Sequence, residues 1–193
     1  MRRIVEAIIR GMERKGVIAG EDREIYAYGL DAALYTLIST AGLLILGALL
    51  GRFAETLFIV ALFYINQTLG GGFHAKSHKS CFLTMTVGLL VCLLSLALPY
   101  RPAVCGTVGV GSLLLLFGIP LTLHPNKAYL YSQRDRLAKR SRIAVAIQAA
   151  LLMGMLCWGK PVYTQTVCAA FLACAVSRLV AARNAAAPPE RKE

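Results

Sequence analysis

The chain has 193 residues, 57% of them apolar, a mean hydropathy of +0.61 and a net charge of +11. Its apolar residues are bunched into blocks separated by short charged stretches, a pattern of membrane spans that excludes an ordinary soluble core. The basic excess is distributed as a topology signal, as counted below, and gives no support for nucleic-acid binding.

From the N-terminus, Ile4, Ile8, Ile9 and Met12 recur at helical spacing against Arg2, Arg3, Arg10 and Arg14. This predicts an amphipathic helix lying on the membrane surface within a cytoplasmic segment, residues 1–29. The stretch lacks the apolar core of a cleavable signal peptide. Six blocks follow that approach the roughly 17 to 25 residues a bilayer crossing needs: Leu30–Leu50, Phe53–Leu69, Cys81–Leu98, Ala103–Leu123, Ile143–Trp158 and Val162–Val180. The expected fold is therefore an all-α polytopic membrane protein with about six spans over residues 30–182. The fifth block is short and extends back through Arg142, whose side chain can reach the headgroups. Pro99 and Pro102 bracket one turn, and Gly159, Lys160 and Pro161 form another. Gly47 and Gly51 make a small-residue pair suited to a helix contact. Asp31 and Glu55 fall at span ends, where their charges need not be buried. The tail, residues 183–193, is small, charged and proline-containing, and is expected to be disordered.

Orientation follows from the basic residues. The N-terminal stretch, the second and fourth loops and the C-terminal end together hold 18 Lys and Arg, against 3 (Arg52, Arg101 and Lys160) in the odd loops. Both termini and the even loops are thus expected in the cytoplasm. The fourth-loop group, Arg134, Arg136, Lys139 and Arg140 with Lys127 before it, suits anionic lipid.

Five of the six cysteines fall inside apolar blocks, as small core residues do. Cys81 is different. It ends the run Gly70-Gly71-Gly72-Phe73-His74-Ala75-Lys76-Ser77-His78-Lys79-Ser80-Cys81, which holds two of the chain's three histidines. A nearby imidazole can take the thiol proton, Lys76 and Lys79 favour a thiolate, and a helix N-terminus does the same. Seven residues of straight helix rise about 10.5 Å, so His74 can reach Cys81 only if the chain folds back, and the glycines permit that bend. His78, three residues before Cys81, is an alternative base. His74, His78 and Cys81 also have the spacing of zinc ligands, although no carboxylate is near and two lysines oppose a cation. An interfacial loop whose histidines meet lipid headgroups is a third reading. Asn66 and Gln67, at the end of the second span, are candidates to orient an imidazole or simply to bond a neighbouring helix.

Gly72-Phe73-His74-Ala75 followed at a spacing of seven by Cys81, between the second and third hydrophobic segments, resembles the accessory gene regulator B family of bacterial membrane cysteine endopeptidases. The basic N-terminal stretch and a basic fourth loop containing His124-Pro125-Asn126-Lys127 are similar as well. Where members of that family carry arginine shortly before the glycines, this chain has Asn66-Gln67-Thr68-Leu69. The resemblance implies a catalytic pair, His74 and Cys81, in the bacterial cell membrane at its cytoplasmic face; no cofactor and no metal are expected. It implies a small propeptide substrate with an amphipathic helix and an acidic C-terminal tail, which would meet Lys76, Lys79 and the basic fourth loop. Cleavage would pass through a thioester and end in a thiolactone or lactone signal for quorum sensing. Membrane lipid is a further expected partner, and a homodimer is favoured. A small transporter or a non-catalytic membrane scaffold is the alternative; no charge lies in the middle of spans one and three to five, where a transporter would need it.

Overall fold

A computed structural model of the chain describes residues 2–73, 77–120 and 134–186. Among these residues every regular element is helical: α1 (Arg2–Arg14), α2 (Arg23–Leu49), α3 (Phe53–Gly70), α4 (His78–Ser95), α5 (Pro102–Gly118), α6 (Arg134–Trp158) and α7 (Pro161–Ala186), with a 3-10 turn at Gly20–Asp22. The all-α polytopic class expected from the sequence is the one adopted, but the span count is corrected. Among the described residues five helices are long and apolar enough to cross a membrane: Gly20–Leu49, Phe53–Gly70, His78–Ser95, Arg134–Trp158 and Pro161–Asn184. The remaining expected span, the fourth block, corresponds to α5, whose 17 residues rise only about 25 Å against a hydrocarbon core of about 30 Å. It stops at Gly118 because Pro120 pushes the residue before it out of the helical region; Ile119 is extended, with φ −71° and ψ 127°.

Other boundaries move for local reasons. α4 begins at His78, three residues before the expected start, because the Ser77 side chain caps it by accepting the Ser80 N–H at 3.2 Å. α6 begins at Arg134, so the basic group expected in a loop is helical. Arg, Leu, Ala and Lys are strong helix formers, and Asp135 suits a first turn. α7 continues to Ala186, into the segment read as tail.

The chain divides into two compact units, Met1–Ile45 and Leu46–Glu193. In the first, Val5, Ile9 and Ile18 are buried together, with Met12, Ala27, Leu30 and Leu34 packed around them. Ile9 and Met12 of the amphipathic stripe thus face protein, while Ile4 and Ile8 stay exposed; only part of the apolar face of α1 is left for a membrane surface.

In the second unit α7 is the hub, packing against α3, α4, α5 and α6. Its Val167 and Phe171 are completely buried, and Ala170 and Ala175 allow close approach. Gln165 Nε2 donates to the Ser95 and Leu98 carbonyls at 2.7 and 3.2 Å, satisfying acceptors left by the end of α4. Cys92, Cys105, Cys168 and Cys174 are buried thiols, as expected, but Cys157 is exposed. Gly47 is a helix contact, since a Cβ there would overlap the buried Thr56 side chain, whereas Gly51 is a turn residue with φ +67°. Glu55 is buried despite its place at a span end, and Arg52 Nη1 donates to its carboxylate at 3.0 Å.

Candidate functional site

The glycine run departs from the last turn of α3, and each glycine is required for a different reason. At Gly70, a Cβ would lie 2.7 Å from Arg178 Nη1. Gly71 has φ +71° and ψ 170°, a conformation open essentially to glycine alone. At Gly72, a Cβ would overlap the Gln67 side-chain amide.

Beyond the glycines the chain lies on α7. The Phe73 N–H donates to both the backbone oxygen and the hydroxyl of Ser177, each at 3.2 Å. Gln67 Nε2 donates to Ser177 Oγ at 3.3 Å and to the Phe73 carbonyl at 3.5 Å, while its Oε1 is buried with no hydrogen-bond partner. Both sides of Phe73 are therefore held immediately before His74. His74 itself lies outside the described residues, as do Lys76 and Lys127.

The chain continues at Ser77 and enters α4. His78, Lys79 and Ser80 form its first turn, and the Cys81 N–H donates to the Ser77 carbonyl at 2.9 Å. Cys81 is half-buried and its thiol is free, while His78 and Lys79 are exposed. Helical Cα–Cβ bonds tilt towards the N-terminus, so the Cys81 side chain leans towards Ser77. His78 and Cys81 are three apart on this helix, the spacing of a shared face. Among the described residues no three His, Cys, Asp or Glu side chains converge as a metal site; His74 of the possible zinc set lies outside them.

Asn66 turns inward. Its Nδ2 donates to the Leu62 carbonyl at 2.9 Å and to Gln148 Oε1 of α6 at 3.1 Å, and only 7% of its surface is exposed. It bonds a neighbouring helix, the second of the two roles its position allowed. Arg134, Arg136, Lys139 and Arg140 are all exposed along the first two turns of α6.

Two residues near the site carried no expectation of a role. Ser177 had none, and Arg178 was counted among the cytoplasmic charges. Arg178 is instead 4% exposed, its Nη1 donating to the Leu116 carbonyl at 2.8 Å and to Ser141 Oγ at 3.3 Å. The available signal was a Ser-Arg pair interrupting the apolar run of the last block.

The model of the family described as accessory gene regulator B matches residues 2–179. The chain belongs to that family. No curated protein and no solved structure matches it. Members of the accessory gene regulator B family process autoinducing peptides in quorum sensing, so a peptide-processing role at the membrane comes with membership. The match includes the whole run from Asn66 to Cys81 and α7 from Pro161 past Ser177 and Arg178.

Proposed function

We propose that this accessory gene regulator B protein is a membrane-embedded cysteine endopeptidase in which Cys81 is the nucleophile and His74 its base. The observation that carries the reading is the setting of Cys81: a free, half-buried thiol in the first turn of a Ser77-capped helix, reached from a backbone held at Phe73. Consecutive Cα atoms are about 3.8 Å apart, so His74 begins one such step from a fixed residue. The remaining link from Phe73 to Ser77 is only three residues long.

In this reading the His74 imidazole takes the Cys81 proton and the thiolate attacks the peptide carbonyl that follows the future ring. The tetrahedral adduct collapses, the C–N bond breaks, and the tail leaves as an amine with the proton returned by His74. The thioester is then attacked by a cysteine or serine side chain of the same substrate; the C–S bond to Cys81 breaks and a thiolactone or lactone closes. Transfer between thiols is nearly energy-neutral, and a membrane-held substrate presents its own nucleophile at high effective concentration, so it competes with water. Arg134, Arg136, Lys139 and Arg140, exposed on α6, with Lys76, Lys79 and Lys127, meet the acidic tail at the cytoplasmic face, and both termini lie on that side. Residues 30–182 act as the peptidase domain of a multi-pass protein of the bacterial cell membrane, and a homodimer is its working form.

Purified protein in liposomes with a synthetic propeptide tests this, with tail release and a covalent adduct followed by mass spectrometry. Cys81→Ser and His74→Ala should insert and bind yet release no tail, and the double variant should be hardly worse than either. Tail release by Cys81→Ser at the wild-type rate overturns the mechanism. Abolition by His78→Ala with activity retained in His74→Ala moves the base to His78.

A further inference from the structure

We infer that Gln67 and Ser177 are positioning residues for the proposed base: together they clamp the Gly72-Phe73 backbone onto α7 and so fix the residue that His74 follows. The inference rests on the peptidase reading and extends it to residues that touch neither the thiol nor the substrate.

A histidine at the end of a glycine run has a directional problem. Gly70, Gly71 and Gly72 offer three successive positions of high backbone freedom, and an imidazole must come within about 3 Å of the sulfur to move its proton. Freedom upstream of the base would spread it over many orientations, most of them unproductive. The clamp removes that freedom at the last residue before His74. Phe73 donates its N–H to the Ser177 backbone oxygen and hydroxyl and accepts from Gln67 Nε2 through its carbonyl, so both peptide units flanking Phe73 are held. The second of these is the peptide that leads into His74.

The two side chains also hold one another, Gln67 Nε2 donating to Ser177 Oγ at 3.3 Å. Gln67 stands on the last turn of α3 and Ser177 on α7, 110 positions away, and α3 and α7 are packed together. The clamp is thus anchored in the helical bundle at both of its side chains. Gly72 completes it. Because a Cβ at position 72 would overlap the Gln67 amide, the glycine serves close approach by Gln67 rather than flexibility. The triple glycine is then a built path: Gly71 makes the turn, and Gly70 and Gly72 let side chains from α7 and α3 grip it.

The test uses the full chain in liposomes and two readouts: the kcat and KM of tail release, and the pH midpoint of Cys81 alkylation by a small reagent in a chain lacking the other five cysteines. His78 and Lys79, on the same turn as the thiol, are kept in every variant. Ser177→Ala removes the hydroxyl and Gln67→Leu removes the amide at similar volume. Each should lower kcat roughly ten- to a hundredfold, as small misplacements of a catalytic group do, with KM unchanged. Each should also move the alkylation midpoint in the direction His74→Ala moves it. Ser177→Thr, which keeps the hydroxyl, should restore both readouts. A structural role alone would reduce the amount of folded protein without moving the midpoint of what remains. Gly72→Ala should be costly in the wild type and nearly free in a Gln67→Ala background, since residues in contact are not additive. If Ser177→Ala and Gln67→Leu keep the wild-type kcat and midpoint while Cys81→Ser and His74→Ala are inactive, the clamp is overturned and the peptidase stands. If His74→Ala itself leaves the midpoint unmoved and cleavage intact, the assignment of His74 as the base fails first and takes the role of the clamp with it. Equal costs of Gly72→Ala in both backgrounds overturn the close-approach account of Gly72.

Discussion

Replacing Gly71 by alanine separates the stability of the bundle from the geometry of the site. Gly71 sits at φ +71° and ψ 170°, where a residue with a Cβ is strained by about 1–3 kcal/mol. What resists release of the segment is the bifurcated Phe73 N–H and one long bond from Gln67 at 3.5 Å. At about 0.5–1.5 kcal/mol net per hydrogen bond, the two hold it by about 1–3 kcal/mol. Strain and grip are thus matched, whereas Thr56, Ile59, Leu62 and Asn66, which bury α3 in the bundle, are untouched. The chain should therefore relieve the strain by letting go of α7 locally and not by unfolding. The thermal midpoint in detergent should stay close to wild type, and kcat for tail release should fall roughly five- to a hundredfold, each tenfold corresponding to about 1.4 kcal/mol. Gly71→Asn should fare no better, because asparagine tolerates the left-handed helical well but not ψ near 170°. Wild-type turnover by Gly71→Ala, or a large drop in the thermal midpoint with specific activity intact, would refute the reasoning.

The proposed recognition of an acidic tail predicts that Arg136, Lys139 and Arg140 together changed to glutamate raise the apparent dissociation constant of the propeptide at low salt, with partial rescue by a basic tail; binding that is equal at low and high salt leaves these residues as orientation signals only. The 18 to 3 distribution of basic residues, which remains lopsided once the buried Arg178 is set aside, predicts that Cys81 in a background without the other five cysteines resists an impermeant thiol reagent in intact cells, and labelling from outside would reverse the topology. Gly47→Ala should lower the thermal midpoint by the equivalent of about 1–3 kcal/mol through overlap with Thr56, and Thr56→Gly should relieve it; an unshifted midpoint would mean that α2 and α3 part freely there. Arg178→Met should cost about 1–3 kcal/mol by stripping the Leu116 carbonyl and Ser141 hydroxyl of their donor, measured as loss of thermal stability, and a more stable variant would show that burying the charge outweighs its bonds.

Hydropathy made the helical class legible, because a span must be apolar along its whole length whichever way it faces. It failed where charge hides a helix: Arg134 to Arg142 continue α6 with good helix formers, yet their polarity reads as a loop. It also overran at α5, where Pro120 outweighs the apolar residues on either side of it. At the site, the spacing from His74 to Cys81 is local and could be read directly. Its supports could not, because they are distant partners: Phe73 bonds a residue 104 positions later and Asn66 one 82 positions later. The glycine run read as a bend was right for Gly71 alone. Its neighbours answer to Arg178 and Gln67, and no periodicity announces which side chain will occupy the space a missing Cβ leaves.

Arg178 shows how the bundle tolerates a buried charge beside such a site. Among the described residues no carboxylate pairs with it; the ion pairs found there join Arg10 to Glu6, Arg23 to Glu13 and Arg52 to Glu55. Its Nη1 is instead bonded to the Leu116 carbonyl in the last turn of α5 and lies against Gly70, the final residue of α3. A helix C-terminus carries about half a negative charge, so two such ends facing one guanidinium offset much of the cost of taking it out of water. The same arrangement places consecutive residues of α7 on the two ends of the glycine run, Arg178 at Gly70 and Ser177 at Phe73. α7 supplies neither of the two groups proposed to react, yet it fixes where the run starts and where it stops. This also weakens the transporter alternative: the one buried cation described inside an apolar span is tied to the ends of α3 and α5 at the level of the glycine run, which is where the proposed peptidase needs rigidity and not where a conduction path needs a mobile charge.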